Sequence, residues 1–399
     1  MNMSAKQSSK GLYLHFGAGN IGRSLAGALF SQAGYEVLFA DAAAPVVAAL
    51  QQERRYKVVF KDTLAAGTPD TYWIERVNAI SALDSAAVTA AVAQADVIGT
   101  AVGAQVLPIV LRSMAAGLAL RKQPVSILFC ENMHDAAALA HHELSSTLPS
   151  DFPLTEMVGL VETSIGKMVP IMPAEVRQRD PLEVWCEAYN MIIADRAGFI
   201  GSIPQVPGLE LKENFTAYVE RKLYVHNLGH ATCACHGHLH GHTYLWSAIG
   251  DPAVATETRA VMEATAKALI HRYPGEFDRL MQQEHVDDLI RRFGNRALGD
   301  TVYRVGRDLP RKLAPADRFI GGLQLVEEAG GDVTPLHRAI AAALCFKATD
   351  EEGHPFAADT AFLEQVAKHG AEHMLIEHCG LDTGNAAMIA HQLKLLRKA

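Results

Sequence analysis

Positive charge is in short supply. The chain carries 36 Lys and Arg against 44 Asp and Glu, a net charge of -8 over 399 residues. That balance argues against nucleic-acid partners, while leaving room for a local basic site around an anionic substrate. No CxxC pair occurs among the six cysteines, Cys130, Cys186, Cys233, Cys235, Cys345 and Cys379. Most of them lie in apolar sequence, which speaks for reduced thiols in a cytoplasmic enzyme rather than a disulfide framework. Long apolar runs are missing as well. The Ala-, Val- and Leu-rich stretch Asp96–Leu120 is broken by Gln105, Pro108 and Arg112. It falls short of the roughly 20 apolar residues of a membrane span. The opening MNMSAKQSSK is polar and lacks the apolar centre of a secretory signal. What remains is an ordinary globular composition, 49% apolar and 20% charged. It is long enough for two domains or three.

Residues 11 to about 205 alternate short apolar runs with helical stretches. GLYLHFG, EVLFAD, YKVVF, DVIGTAV, VSILFC and MVGLVE read as strands, and buried strands flanked by helices imply a parallel sheet covered on both faces. Beyond Leu211 the texture becomes long segments of helical spacing, such as NFTAYVERKLYVHNLGHA, ATETRAVMEATAKALIHRY and DTAFLEQVAKHGAEHML. IPQVPGLEL, with its Pro and Gly, reads as a linker. The expected fold is α/β, a Rossmann-type domain over 1–205 followed by a mostly helical domain over 206–399.

The first strand runs into Gly17-Ala18-Gly19-Asn20-Ile21-Gly22, a GxGxxG turn. Its first Gly permits the tight turn, its second lets a pyrophosphate approach the backbone, and its third lets the helix pack on the strand. The helix N-terminus beyond offers free N–H groups to phosphate. Asp41 closes the next strand about 20 residues on, where an acid holds ribose hydroxyls and repels a 2′-phosphate. NAD is therefore the expected cofactor. GLVETSIGK, Gly159 to Lys167, has the wrong glycine spacing for a phosphate loop and carries Met168 where Ser or Thr should bind magnesium.

Two further stretches carry chemistry. Lys222 to Trp246, KLYVHNLGHATCACHGHLHGHTYLW, crowds six histidines and two cysteines together. On a straight helix His236 and His240 pair on one face, and His238 and His242 on the opposite one. One ion then cannot collect all four, and either pair needs a third ligand to hold zinc. The pattern favours a helix partly packed and partly solvated over a metal site. YRVGRDLPRKLAPADR brings Arg304, Arg307, Arg311, Lys312 and Arg318 into one short segment. Such a cluster is usually surface charge paired with acids, here Asp308 and Asp317, but Arg forks also match phosphate oxygens.

HFGAGNIGR, TAVG (Thr100 to Gly103), ENM (Glu131 to Met133), ENFTAYVERKL, NLGHA and VGRDLPRKLAPADRFIG, in this order along nearly the whole chain, resemble the polyol-specific long-chain dehydrogenase/reductase family. The resemblance implies a Rossmann-type domain, a helical C-terminal domain and no catalytic metal. It places the catalytic Lys on Lys222, the accompanying Asn and His on Asn227 and His230, and a second Asn on Asn132. Cofactor contacts are implied for Thr100, Val102 and Gly103 besides the glycine turn. The implied reaction interconverts D-mannitol 1-phosphate and D-fructose 6-phosphate, with Arg304, Arg307, Arg311 and Lys312 towards the phosphate. The substrate is thus a small sugar phosphate, with neither nucleic acid nor membrane as partner; nothing fixes the oligomeric state, and a monomer is compatible. One segment departs from the family: a VDRIVP-like stretch reads IGKMVP here, with Gly166 and Lys167 replacing Asp and Arg.

The residues themselves are compatible with that chemistry. On a helix, with Lys222 at zero, Asn227 falls near about 140° and His230 near about 80°, so one side presents all three. Burial can bring a Lys pKa down towards neutrality, as a base requires. Asn227 and Asn132 would donate to the substrate oxygen, one from each domain, in an interdomain cleft. A related hexuronate or unphosphorylated-polyol reductase and a catalytically silent nucleotide sensor are the alternatives.

Overall fold

The computed structural model describes residues 9–62, 68–133, 135–170 and 172–398; the N-terminal segment up to residue 8 lies outside them. Two compact units divide the chain, Met1–Phe215 and Thr216–Ala399.

The described residues of the first unit form eleven strands: β1 Leu12–Phe16, β2 Glu36–Asp41, β3 Tyr56–Phe60, β4 Thr71–Ile74, β5 Val77–Ser81, β6 Val97–Thr100, β7 Val125–Phe129, β8 Val158–Ile165, β9 Val184–Cys186, β10 Ile192–Asp195 and β11 Leu209–Lys212. Eight form one sheet in the order β11-β10-β8-β7-β6-β1-β2-β5. From β5 to β8 all pairings are parallel, and β10 joins β8 antiparallel. β6 and β7 are buried along their whole length, as strands covered on both faces must be. Tyr13 and Leu14 of β1 face opposite ways into two apolar clusters. One includes Phe30, Phe39 and Tyr56; the other includes Leu111, Met114 and Ile127.

Two expectations need correcting. YKVVF is a strand but not part of the main sheet. It lies at the centre of a three-stranded sheet, antiparallel to β4 and parallel to β9. The segment read as a linker, Ile203 to Leu211, ends in β11, which pairs with β10 through Ile192↔Leu209. The two compact units meet at Phe215, within about ten residues of the expected boundary.

Helices make up the second unit. Pro252–Arg272 is its longest, 21 residues capped by Asp251, whose carboxylate accepts from the Ala253 amide at 2.8 Å. Pro252 at its first turn costs no hydrogen bond. It packs against Leu228–Leu239, Arg279–Phe293 and Arg318–Glu328. The crossing with Leu228–Leu239 is close because Gly229 has no side chain. A Cβ there would stand 2.5 Å from the Met262 sulfur. DTAFLEQVAKHGAEHML is not one helix. It breaks at Gly370, at φ 89°, into Ala357–His369 and Ala371–Glu377.

Candidate active site

The nucleotide half is a turn held by its own backbone constraints. Gly17 sits at φ 95°, and a Cβ there would lie 2.5 Å from the Ala101 carbonyl oxygen. A Cβ on Gly22 would collide with the Gly17 carbonyl oxygen, whereas at Gly19 nothing lies within 4 Å. The turn is thus closed behind Gly17 and Gly22 and open over Gly19 and Asn20, the side a pyrophosphate would need. The Ala18 amide donates to Asp41 at 2.6 Å, and the Ala43 amide donates to the other Asp41 oxygen at 2.8 Å. Buried Arg23 braces the turn from below, donating from Nε to the Ala18 carbonyl at 2.7 Å. Ile21 is half-buried at the start of the π-helical turn Gly22–Gly27. These residues fit a dinucleotide: a cradle open at the middle glycine, a helix start and a strand-end carboxylate.

Thr100 ends β6, followed by Val102 and by exposed Gly103 at φ 86°. Glu131 fastens this loop. It accepts from the Thr100 hydroxyl at 2.7 Å and from the Val102 amide at 3.0 Å. Burial raises the Glu131 carboxyl above its usual range, although those hydrogen bonds pull the other way. The sequence reading quoted Glu131 only as a neighbour of Asn132. Asn132 itself is exposed just after β7. Gly159 to Lys167 forms β8 and its exit, not a phosphate loop. Lys167, the departure from the family pattern, is buried and donates to Asn190 Oδ1 at 3.2 Å.

In the second unit Lys222, Asn227 and His230 share one continuous helical segment, but not a straight α-helix. Phe215–Arg221 is α-helical, Lys222–Asn227 is π-helical, and Leu228–Leu239 is α-helical again. A π-turn pairs each residue with the one five ahead, so Asn227 is drawn towards the face of Lys222, closer than the regular wheel places it. Thr265 of the long helix supports the irregular turn by donating to the Tyr224 carbonyl at 2.8 Å.

The electrostatics of this segment are those of a buried cationic site. Lys222 is pushed down from 10.5 to about 8, first by burial and then by the Arg318 charge. His230 is pushed down to about 3, by burial and then by Arg304, Arg318, Lys312 and Arg292. It is therefore neutral at physiological pH. Its ring stacks on Phe293 at 4.8 Å, and its buried Nε2 has no hydrogen-bond partner. Asp300 Oδ2 stands 3.7 Å from that nitrogen. His226, one turn earlier, packs against both rings, 5.8 Å from Phe293 and 6.0 Å from His230. A basic Lys beside a neutral His can take the proton of an alcohol while holding its oxygen.

The basic segment divides on inspection. Arg304 pairs with Asp300; Arg311 pairs with Asp308 at 2.5 Å and with Asp317 at 3.4 Å. Lys312 is buried, pushed down to about 8 by burial and Arg318, and its ammonium donates to the Arg307 carbonyl. Arg307 is exposed over the rings of Tyr303 and Phe356, 5.4 Å from each. Among the described residues it has no carboxylate partner. Arg318, which the sequence reading counted in the cluster but did not select, acts on Lys222, His230 and Lys312 alike. Asp300 and Arg292 were missed. Asp300 was legible as the acid four residues before Arg304; Arg292 lies in a different helix and gave no local signal.

The remaining histidines do not pair as a straight helix would have them. The helix ends at Leu239, and Gly241 at φ 75° turns the chain back. His240 and His242 therefore meet on one atom, Asp251 Oδ2, at 3.0 and 3.2 Å. His238 accepts from the Lys347 amide at 3.1 Å, and His236 is buried. Among the described residues no group of three or more His, Cys, Asp or Glu is placed to hold a metal ion. Nor is any described helix long and apolar enough to cross a membrane.

Comparison with solved structures finds this architecture elsewhere. A D-sorbitol dehydrogenase in substrate-free form superposes with a TM-score of 0.80 at 15% identity, over 98% of this chain and 93% of the other. The Pseudomonas fluorescens mannitol 2-dehydrogenase in ternary complex with NAD and D-mannitol gives 0.75 at 16% identity, over 98% and 92%. An octopine dehydrogenase in complex with NADH and agmatine gives 0.51 at 15%, over 94% and 99%. At these identities the likeness is one of fold. The sequence itself goes further: residues 12–208 match the mannitol dehydrogenase Rossmann domain and residues 214–378 the mannitol dehydrogenase C-terminal domain, so the chain belongs to the mannitol dehydrogenase family.

Proposed function

We propose that the protein interconverts D-mannitol 1-phosphate and D-fructose 6-phosphate with NAD, the activity of a mannitol-1-phosphate 5-dehydrogenase. The bound nicotinamide supplies a hydride acceptor for oxidation and a donor for reduction. Lys222, with its pKa near 8, takes the hydroxyl proton while the carbon bearing that hydroxyl gives up a hydride, so the alcohol loses one proton and one hydride, two hydrogens and two electrons in all, to become the ketone. His230 holds a substrate hydroxyl so that the reacting carbon lies beside Lys222, and Asn227 and Asn132 donate to the reacting oxygen as charge develops. Gly17, Gly19, Gly22 and Asp41 hold the dinucleotide, with Ala18, Asn20, Ile21, Thr100, Val102 and Gly103 around it. No step requires a metal.

The observation that carries the phosphate assignment is the charge around His230. Four cations, Arg304, Arg318, Lys312 and Arg292, act on it; Arg304, Arg318 and Arg292 are paired with Asp300, Asp317 and Asp288, so Lys312 is the positive charge beyond the pairs. Such a site favours an anionic substrate over a neutral one. With Arg304 and Arg311 occupied by carboxylates, Arg307 and Lys312 are the residues left for phosphate, and Arg307 has the free fork.

A neutral polyol is the second reading, favoured by the mannitol and sorbitol substrates of the two structural neighbours and by the carboxylates already paired with Arg304 and Arg311. NADH oxidation with fructose 6-phosphate, fructose, tagaturonate and fructuronate separates these readings. Fructose 6-phosphate should lead fructose in kcat/KM by at least about tenfold, the worth of one charge-assisted phosphate contact. Equal values would leave the polyol reading standing; preference for a hexuronate would move the substrate class. NADH binding without turnover of any of them would make the protein a sensor.

A further inference from the structure

We propose that Asp300 is a positioning residue that sets the tautomer of His230, holding the proton on Nε2 so that Nδ1 presents a lone pair to the substrate. The inference rests on the reading of His230 as a site residue.

Three observations carry it. First, the two nitrogens of His230 are not equivalent. Nε2 is the buried one, without a hydrogen-bond partner, and it is the one that faces Asp300 Oδ2 at 3.7 Å. The side chain keeps 19% exposure, to which Nε2 adds almost nothing. Second, the ring is not free to turn: Phe293 lies almost parallel to it, at 19° and 4.8 Å. Third, Asp300 is itself fixed. Its side chain is 6% exposed and pairs with Arg304 through Oδ1, while its carbonyl accepts from the Leu245 amide at 2.9 Å. Gly299, left-handed at φ 67°, turns the chain immediately before it.

That separation is longer than a hydrogen bond, yet a buried N–H beside a buried carboxylate is strongly preferred to a buried lone pair beside it. The opposite tautomer would set the Nε2 lone pair against a carboxylate oxygen. Full protonation is opposed by burial and by the charges of Arg304 on the following short helix, Arg318 and Lys312 beyond it, and Arg292 on Arg279–Phe293. The neutral ring therefore has one choice to make, and Asp300 makes it. An acceptor at Nδ1 can take a hydrogen bond from a sugar hydroxyl and fix the reacting carbon beside Lys222. The logic is that of a buried acid orienting a catalytic imidazole, where Asp→Asn preserves shape and inverts the tautomer.

The test is Asp300→Asn, with Asp300→Glu as the conservative variant, on the full-length protein. The direct readout is nitrogen NMR of histidine-labelled protein without substrate, with His230 assigned by His230→Gln. Wild type should show a neutral ring protonated on Nε2, Asp300→Asn a ring protonated on Nδ1, and Asp300→Glu the wild-type pattern. Because no substrate is present, this result stands apart from the phosphate assignment. Kinetically, Asp300→Asn should lower kcat about 100-fold or more with KM changed less than about threefold, and Asp300→Glu should recover part of it. Should Asp300→Asn leave the ring on Nε2, or raise KM alone, Asp300 would be only the counter-ion of Arg304 and the proposal would be wrong. Unchanged melting of Asp300→Glu guards against reading misfolding as mechanism.

Discussion

Asp41 takes the Ala18 amide at 2.6 Å, tying the end of β2 to the middle of the glycine turn. The carboxylate that the sequence assigns to ribose is thus also part of the turn's own scaffold. A carboxylate has lone pairs left after two amide hydrogen bonds, so the two roles coexist. Asp41→Ala should weaken NADH binding and relax the selection against NADPH, because both the ribose acceptor and the repelling charge go. It should also cost about 1–2 kcal/mol of stability through the orphaned Ala18 and Ala43 amides. Titration of NADH and NADPH alongside thermal melts checks both. An unchanged cofactor preference with a lowered Tm would make Asp41 a brace and nothing more.

The glycine turn was legible because its logic is local: strand, tight turn and helix follow one another directly in the chain. Sheet membership is not local, and β3 shows it. YKVVF has the composition of a buried strand, and its pairing with β4 at Trp73 and, far along the chain, with β9 at Trp185 puts it in the small sheet. The π-turn at Lys222–Asn227 was invisible for the same reason, since its support comes from Thr265, 41 residues beyond Tyr224. The histidine pairing failed on a single residue, Gly241, whose turn ends the helix before His240 and His242 can separate by face. Charge partners were half legible. Asp300 stands at helical spacing from Arg304, but its approach to His230 joins segments far apart in the chain.

Lys222 ties activity to stability through one proton. Oxidation needs the neutral amine, so kcat/KM for the alcohol should rise with pH and level off above about 8, the pKa to which burial and Arg318 bring this group. Ketone reduction needs the ammonium and should fall over the same range. Between about 8 and 10.5 the unfolded chain binds the proton that the folded one has lost, so the Lys222 contribution to stability rises with pH there. Below that window the burial penalty is present in full. Lys222→Met should therefore raise Tm at pH 7 while lowering kcat by roughly 10²–10⁴-fold, the usual worth of a general base. A loss under about tenfold would exclude Lys222 as the base.

Arg307 and Arg311 make a matched pair of tests for the phosphate. Arg307→Ala removes an exposed guanidinium that lies over two aromatic rings and, among the described residues, has no carboxylate partner. It should raise KM for fructose 6-phosphate about tenfold or more and leave fructose untouched. Arg311 is already shared by Asp308 and Asp317, so Arg311→Ala should change KM far less. The reverse order would place the phosphate on the Arg311 side of the segment.

The histidine-rich stretch offers the sharpest separation of chemistry from decoration. His230 belongs to the cationic site with Lys222, whereas His240 and His242 close on Asp251, the N-cap of the 21-residue helix. His240→Ala with His242→Ala leaves Asp251 bonded to the Ala253 amide, so the helix keeps its cap. The double variant should melt slightly lower and turn over within about twofold of wild type, exposed pairs of this kind being weak. His230→Ala should slow turnover about 100-fold or more, since it removes the group that fixes the reacting carbon beside Lys222. Chelation should leave the rate intact, because the steps assigned to Lys222, Asn227 and His230 use no ion. Metal content measured beside the rate decides it. If chelated protein lost activity and stoichiometric zinc restored it, with the His240 and His242 variant unable to respond, the alcohol would be activated by a metal at this stretch and Lys222 would not be its base.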